Sequence, residues 1–307
     1  MTTESQLLDL LHSYISSSQY SLVQYAFMAN YKHEEIRKAL ISGSDRNTLQ
    51  NKTLDLDRYL EAGFSEVCSQ TFEFLKKYFS KEFCSKRSKD SVRVSIKVIA
   101  RDKILTLERF PKCLYEEFES DALENSAFKE LTDNDSTEYF CNSIPKAIAD
   151  GKYKNNRIDL EKAEKYIRNI LKLKAEGKEV TQDSPDIEWA KCWKNIKTLS
   201  GEEEKPTPES CYKSTIVLPI YLNPDKIAHY EFKDFYQLIE NDLVQEGKFI
   251  FGYLCLDHYL ENYFQEDDVK IADLFAKILS IYMLFQLSYT QCSPTYYKAF
   301  QEIIEEL

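Results

Sequence analysis

Two extended apolar segments and the helix that follows them constrain the fold of this chain more than any other feature. The segments are residues 213–221 and 249–256, and both are rich in the β-branched and aromatic residues that favour strands. A helix is predicted over residues 269–287, directly after Asp267 and Asp268, whose negative charge suits the positive end of the helix dipole. Strand, strand and helix in this order predict a sheet covered by a helix.

The predicted helix at 269–287 is apolar nearly all round. Such a helix is either buried on several sides or spans a membrane, and a span needs about 20 largely uncharged apolar residues. The uncharged run is shorter than that, and Ser280 and Gln286 interrupt it. We therefore expect burial within the protein and no membrane partner, with a homodimer interface as one reason for the surplus apolar surface.

Segments nearer the N-terminus complete the predicted sheet. Residues 92–99 alternate apolar and polar side chains, and residues 104–109 return as the second strand of a hairpin. The alternation places one set of side chains on the same face: Val92, Val94, Ile96 and Val98. Before them, residues 55–79 are predicted to form a long amphipathic helix with Thr53 as its N-cap. This order of elements predicts an α+β fold, with helices gathered on one side of an antiparallel sheet.

Residues 1–50 are predicted to be an N-terminal helical extension. Their apolar residues recur at helical spacing, and the serines at 16–18 are expected to divide the segment into two helices. Two roles stay open for this extension. It is either a docking or dimerisation arm, or a lid over the main core.

A long excursion, about 116–210, separates the two halves of the predicted sheet. A short helix is predicted to begin at Pro145 and end at Gly151. Two longer helices follow, at 159–174 and at 185–198, before a flexible linker leads back to the sheet. The excursion is therefore predicted to be a helical insertion beside the sheet.

Charge and glycine content exclude two classes of function. The net charge of −11 argues against nucleic acid as a partner, because such affinity comes largely from phosphate neutralisation. The seven glycines are scattered singly, whereas glycine-rich phosphate loops need them clustered. Residues 76–103 hold ten Lys and Arg against three acids, and residues 116–138 hold nine acids against one lysine. Two interpretations stay open: local anion binding, or solvated faces that complement each other.

The cysteines favour a reducing compartment and core packing. No two of the eight form a CxxC pair, and no histidine stands at metal-ligand spacing from them. The N-terminus lacks the basic and apolar regions of a signal peptide, so we predict a cytoplasmic protein. Cysteine as a small core residue is the default, and no metal site is predicted. The cysteines are Cys68, Cys84, Cys113, Cys141, Cys192, Cys211, Cys255 and Cys292.

The chain resembles a GAF domain, a small-molecule sensor fold related to PAS. Residues 212–220 (YKSTIVLPI) are similar to the penultimate strand of that family, and residues 250–257 (IFGYLCLD) to its last strand. Phe264 and the acidic pair before the apolar helix match its closing element. The resemblance covers residues 53–110 and 211–290, and it implies a GAF-like domain over 51–292 with a short C-terminal helix at 293–307.

The resemblance also implies a general site and leaves the cofactor unknown. A six-stranded antiparallel sheet is expected, with the first and last long helices on one face and any ligand on the other, under the excursion. GAF domains variously bind cyclic nucleotides, bilins, haem, amino acids or oxo-acids, and some bind nothing. The Asn-Lys-Phe-Asp-Glu signature of the phosphodiesterase class is absent. A bilin would need a reactive cysteine, for which Cys141 and Cys255 lack the phytochrome context, and haem would need His229 or His258, both expected in loops.

Strand alternation nominates the residues of a ligand site. One face is predicted to carry Ile216, Leu218, Ile220, Ile250, Leu254 and Leu256, which form an apolar core facing the helices. The other face is more polar and aromatic, as a small-ligand site would be: Thr215, Val217, Tyr221, Phe251, Tyr253 and Cys255. Further polar contacts are predicted from Tyr139, Asn142, Arg157 and Lys213. The alternative is that these aromatic residues simply pack under the inserted helices.

These patterns predict a non-catalytic sensor. In this prediction the protein binds a small molecule, forms a homodimer and signals to a separate protein partner through its terminal helices. The alternative is a ligand-free scaffold that dimerises through residues 55–79 and 269–287. An enzyme would need a nucleophile–base pair or a carboxylate dyad, and the acids of 116–138 show no spacing that singles out two of them. We therefore predict no enzyme.

Overall fold

The chain forms two compact units. The computed structural model describes residues 3–80, 92–100, 103–110, 120–121, 124–133, 136–177, 183–197, 203–222, 244–245 and 248–284. Unit 1 comprises residues 1–85, 224–241 and 277–307, and unit 2 comprises residues 86–223 and 242–276. The domain boundaries predicted at 50 and 292 stay predictions, and the helix predicted at 293–307 lies outside the described residues.

Unit 1 is built on a hairpin of two long helices, α1 (Thr3–Ile41) and α2 (Arg46–Tyr78). Asp45 caps α2 by accepting a hydrogen bond from the backbone N–H of Thr48 at 3.0 Å. The predicted start of α2 is therefore wrong by about two turns, because Thr53 lies inside the helix and its hydroxyl donates to the Leu49 carbonyl.

The predicted break at residues 16–18 is also wrong. Helix α1 runs through the three serines, and Ser18 is buried. Its carbonyl accepts a hydrogen bond from the Tyr282 hydroxyl at 3.0 Å, within unit 1. Packing of this segment outweighs the weak helix propensity of serine.

The two helices contact each other along a regular seam. Buried residues of α1 recur at steps of about three, four and seven, which is the spacing of a helix–helix contact: Tyr14, Ser18, Tyr25, Ala29 and Ile36. Tyr25 donates a hydrogen bond to the Leu60 carbonyl at 3.2 Å, and Tyr14 bonds to Thr71 at 2.8 Å. Part of the apolar face of 55–79 is therefore covered within the chain.

Gly63 provides the first testable prediction. A Cβ at this position would lie 2.3 Å from two ring carbons of Tyr25, so the ring has to move and its hydrogen bond to Leu60 is lost. We expect Gly63→Ala to destabilise unit 1 by roughly 1–3 kcal/mol, measured by chemical denaturation with circular dichroism. In the background of Tyr25→Leu the same change should cost much less. Equal costs in both backgrounds would contradict the proposed contact.

Unit 2 contains a single antiparallel sheet, as predicted. Its strands run in the spatial order β3-β2-β1-β9-β7-β4, and β8 pairs with β9. The bounds are β1 (Arg93–Ala100), β2 (Lys103–Phe110), β3 (Ser120–Asp121), β4 (Tyr139–Cys141), β7 (Ser214–Leu222), β8 (Val244–Gln245) and β9 (Lys248–His258). The hairpin near 92–109 and the strands within 213–256 thus meet where β1 pairs with β9. The predicted α+β class with an antiparallel sheet is confirmed.

The excursion contains four helices, α3 (Ser126–Asp133), α4 (Ile144–Ala149), α5 (Leu160–Ala175) and α6 (Asp183–Ala190). Ser143 caps α4, Pro145 lies in its first turn, and Gly151 follows with φ of +68°. These positions agree with the sequence-based prediction.

Helix α6 is shorter than predicted. It ends at Ala190, and Trp193 instead forms a β-bridge with Ile158. Part of the predicted helix and linker forms a small two-stranded sheet of β5 (Ile196–Lys197) and β6 (Glu203–Glu204). The backbone N–H of Lys194 bonds to the Arg157 carbonyl, which directs the chain out of helical geometry.

The closing helix, α7, covers residues 266–284. Its first turn is fixed by Asp268, whose carboxylate accepts a hydrogen bond from the Gln265 N–H at 2.8 Å. The buried side chains of α7 include Val269, Ala272, Phe275, Ala276, Leu279, Tyr282 and Met283. Among the described residues, no helix is long and apolar enough to cross a membrane. The predicted position of the first and last long helices on one face of the sheet stays a prediction.

Candidate functional site

The sheet of unit 2 arranges one set of side chains in rows across neighbouring strands. Because directly paired residues point to the same face, the register defines each row. The first row is Arg93, Asp257, Thr215 and Cys141. The second row is Arg109, Ser95, Cys255, Val217 and Tyr139. The third row is Thr106, Lys97, Tyr253 and Pro219. We call this surface the site face.

The apolar part of the site face is filled by the excursion. The ring of Tyr253 lies 4.7 Å from that of Phe128, and its hydroxyl bonds to Thr132 at 2.8 Å. Tyr139 is buried with its ring 6.4 Å from that of Tyr153. Tyr253, Tyr139 and Cys255 therefore pack under the inserted helices, which is the alternative that the sequence left open.

A bulge changes the predicted alternation in β9. Ile220 pairs with Gly252, whereas the next residue, Tyr221, pairs with Ile250, so Phe251 is an extra residue at this point. Ile250 consequently joins the core cluster that contains Tyr253, and the partly buried Tyr221 packs against that cluster. The predicted placement of Ile250 on the opposite face is wrong, and Phe251 is displaced from the regular alternation.

The polar end of the site face is organised around a carboxylate. Asp257 accepts a hydrogen bond from the Thr215 hydroxyl at 2.7 Å. Burial of the carboxyl group raises the pKa of Asp257, whereas Arg93, Thr215, Lys97 and Arg109 act in the opposite direction. Three cationic side chains from β1 and β2 thus surround this single acid.

A fourth cation comes from the segment between α4 and α5. Burial lowers the pKa of Arg157, and the nearby positive charges of Arg93 and Arg109 lower it further. The guanidinium carbon of Arg157 lies 5.5 Å from the ring centroid of Trp193. Asn155 accepts a hydrogen bond from the Arg157 N–H at 2.9 Å, which fixes this segment locally.

Tyr212 connects the carboxylate to the arginines. Burial raises the pKa of the Tyr212 hydroxyl, Asp257 raises it further, and Arg157 and Arg93 oppose this effect. The hydroxyl accepts a hydrogen bond from the Asn155 amide at 2.8 Å. We call Arg93, Lys97, Arg109 and Arg157, with Asp257 among them, the cationic cluster.

The cationic cluster has the composition of an anion site. It holds four positive groups against one carboxylate, and each of its five residues is partly exposed. Guanidinium groups bind carboxylate and phosphate oxygens in a bidentate manner, and a partly desolvated setting strengthens such contacts. Two further groups, the Thr215 and Tyr212 hydroxyls, lie beside the charges. The arrangement can therefore hold a small anion and present it to a carboxyl group.

The sequence predicted only part of this cluster. Arg157 and Thr215 were nominated, whereas Arg93, Lys97 and Arg109 were not. The signal was present, because the alternation that puts Val94 on one face puts its neighbours Arg93 and Ser95 on the other. What the sequence did not indicate is which residues of the excursion lie beside them.

Two other predicted site residues make structural contacts elsewhere. Lys213 is buried and forms an ion pair with Asp186 on α6. The Asn142 amide accepts a hydrogen bond from the Phe264 N–H at 3.1 Å and donates one to the Phe264 carbonyl at 2.7 Å. Both residues fix loops around the sheet. Whether either contacts a ligand stays a prediction.

The cysteines of unit 2 are buried thiols. Burial raises the pKa of Cys192 and of Cys211 to about 11, and that of Cys255 to about 12. Burial raises the pKa of Cys141 as well. Protonated thiols are weak nucleophiles and weak metal ligands at neutral pH. In the part of the chain that the structure describes, no group of three His, Cys, Asp or Glu is placed to hold a metal ion.

Two solved structures are similar to this chain, whereas no protein-family model and no curated protein matches it. The first is the X-ray structure of free methionine-R-sulfoxide reductase from Neisseria meningitidis in complex with its substrate. It has 12% sequence identity, covers 76% of this chain and 92% of that chain, and gives a TM-score of 0.32. The second is fRMsr of Staphylococcus aureus in complex with substrate. It has 10% identity, covers 74% of this chain and 94% of that chain, and gives a TM-score of 0.30.

These similarities contradict two of our predictions. We predicted a non-catalytic sensor or a ligand-free scaffold, and we predicted no enzyme, whereas both similar structures are enzymes with a GAF-like fold. Neither prediction is kept. At these identities and TM-scores the reductase activity is a property of those two proteins and is not carried over to this chain.

Proposed function

We propose that unit 2 binds a small organic substrate through a carboxylate or phosphate group held by the cationic cluster. The observation that carries this proposal is the meeting of Arg93, Arg109 and Arg157 around Asp257 on the site face. Like charges repel, so an arrangement of three guanidinium groups costs free energy unless an anion offsets it. One carboxylate offsets only part of that positive charge.

The overall charge of the protein makes this local excess more specific. The chain carries a net charge of −11, so its surface as a whole repels small anions. A local cationic site then selects molecules that can reach several guanidinium groups at once. Planar, bidentate groups such as carboxylate and phosphate fit this requirement best.

Asp257 favours a catalytic use of the site. A carboxyl group whose pKa is raised by burial can donate or accept a proton nearer to neutral pH than an ordinary aspartate. It lies within the cationic cluster, so a bound anion brings the substrate to it. We propose proton transfer to or from the bound molecule as its role.

We also propose that the protein is related to GAF domains and works in the cytoplasm. The antiparallel order β2-β1-β9-β7-β4 and the excursion over the site face support the first proposal. Support for the second comes from five free and buried cysteines among the described residues.

Titration calorimetry with sulfate, phosphate and acetate tests the binding proposal. We expect the protein to bind these anions, and Arg157→Gln or Arg93→Gln to weaken binding roughly tenfold, since each removes one of several charges. Arg168→Gln is the matched control, because Arg168 is an exposed arginine of α5 in the same unit. A library of small carboxylic acids and phosphate esters, screened by thermal shift, then identifies the substrate class. Absence of anion binding, or equal weakening by the control, would reject the proposal.

A further inference from the structure

Helix α1 carries an exposed apolar stripe on the side away from its seam with α2. Four large side chains at helical spacing are more than half exposed: Tyr20 at 73%, Val23 at 69%, Phe27 at 70% and Tyr31 at 53%. Residues three, four and seven apart share one face of a helix, so these four form one continuous surface. A surface of this kind marks an interaction site.

The stripe lies in the longest uncharged part of the helix. Residues 10–31 contain no Asp, Glu, Lys or Arg, although such residues make up 30% of the chain. The centre of a protein interface is depleted of charge and enriched in aromatic residues, and α1 shows both features on its exposed side. The membrane alternative is weakened, because no helix among the described residues is apolar enough to span one.

Charges at the two ends of the stripe identify the occupant as a second copy. Asp9 and Lys38 are both exposed, and their spacing from Tyr20 and Phe27 puts them on the same line along the helix. In an antiparallel pair with its two-fold axis between residues 23 and 24, Tyr20 lies opposite the partner's Phe27. The same operation sets Asp9 opposite the partner's Lys38. One register therefore matches apolar with apolar and acid with base.

The exposed area is sufficient for a weak to moderate dimer. An aromatic side chain buries roughly 150–250 Å², and more than half of that is available at Tyr20, Phe27 and Tyr31. The stripe then supplies on the order of 400–500 Å² per copy, against about 800 Å² per partner in a standard interface. Its flanking polar residues supply part of the remainder.

We propose that the protein forms a two-fold homodimer in which the exposed stripes of two α1 helices pack antiparallel. The interface is isologous, so each residue of the stripe is used twice. This arrangement leaves the seam between α1 and α2 intact, because it uses the opposite side of α1. It is independent of anion binding at the cationic cluster.

Analytical ultracentrifugation of the full chain tests this proposal. We expect a concentration-dependent dimer for the wild type and a monomer for Phe27→Glu, with unchanged helix content and unchanged sulfate binding. Leu171→Glu, which alters an equally exposed apolar residue of α5, should leave the dimer intact. A wild type that is monomeric at all concentrations, or a Phe27→Glu variant that still forms the dimer, would overturn the proposal.

Charge exchange tests the register. Asp9→Lys or Lys38→Asp alone should weaken the dimer about tenfold, because each places like charges opposite one another twice. The double variant Asp9→Lys/Lys38→Asp should restore wild-type association. Failure of the double variant to recover would exclude the antiparallel register.

Discussion

Replacement of Gly252 by alanine is expected to destabilise unit 2 by about 3 kcal/mol or more and to abolish anion binding. Gly252 lies in the middle of β9, paired with Val98 on one side and Ile220 on the other. A Cβ there would lie 2.0 Å from the Lys97 carbonyl oxygen and 3.1 Å from the Val98 Cα. These are backbone atoms of the central strand pair, so the strands have to separate.

The effect should reach the cationic cluster, because β1 carries Arg93 and Lys97 and β9 carries Asp257. Urea denaturation and sulfate titration of the same samples measure both consequences. Gly151→Ala is the control, since its φ of +68° costs about 1 kcal/mol for a side chain but no atom lies within 4 Å. Equal stability losses in the two variants would contradict the close approach of β1 and β9.

Asp257→Asn is expected to strengthen sulfate binding at neutral pH by roughly tenfold or more. The amide keeps the shape of the side chain and can still accept the hydrogen bond from Thr215, while the negative charge that competes for Arg93, Lys97 and Arg109 is removed. Calorimetry on wild type and variant measures the difference. An unchanged affinity would show that Asp257 does not share the site with the anion.

The same pair of proteins gives a defined pH dependence. Because burial raises the pKa of Asp257, its carboxyl group becomes protonated at a higher pH than an ordinary aspartate when the pH falls. Sulfate keeps its charge over this range, so its affinity for the wild type should rise toward the value for Asp257→Asn as the pH is lowered. The variant should lack this component. Parallel pH profiles for the two proteins would contradict the assignment.

The sheet could be predicted from sequence because its strands alternate clearly. The β-branched residues of 92–99 and 213–221 define one buried face, and a period of two is specific to a strand. The long helices were also recognisable, but their ends were not. Asp45 starts α2 through a local hydrogen bond, whereas the sequence offered Thr53 as an equally suitable cap.

The candidate site was only partly predictable, for two physical reasons. A bulge near Gly252 reverses the alternation beyond Tyr253, and such an irregularity leaves little signal in a single sequence. The position of Arg157 beside Arg93 depends on tertiary packing of the excursion, which periodicity does not encode. Sequence reasoning also ranked aromatic residues above charged ones for the site, whereas the aromatic residues form the packed core.

NMR of the arginine Nε–Hε groups during a sulfate titration tests the central claim most directly. The signals of Arg93, Arg109 and Arg157, assigned by single Arg→Gln variants, should shift together and saturate with one dissociation constant. The exposed Arg168 should not follow them. Saturable shifts confined to other arginines, or no shifts in these three, would contradict an anion site at the cationic cluster.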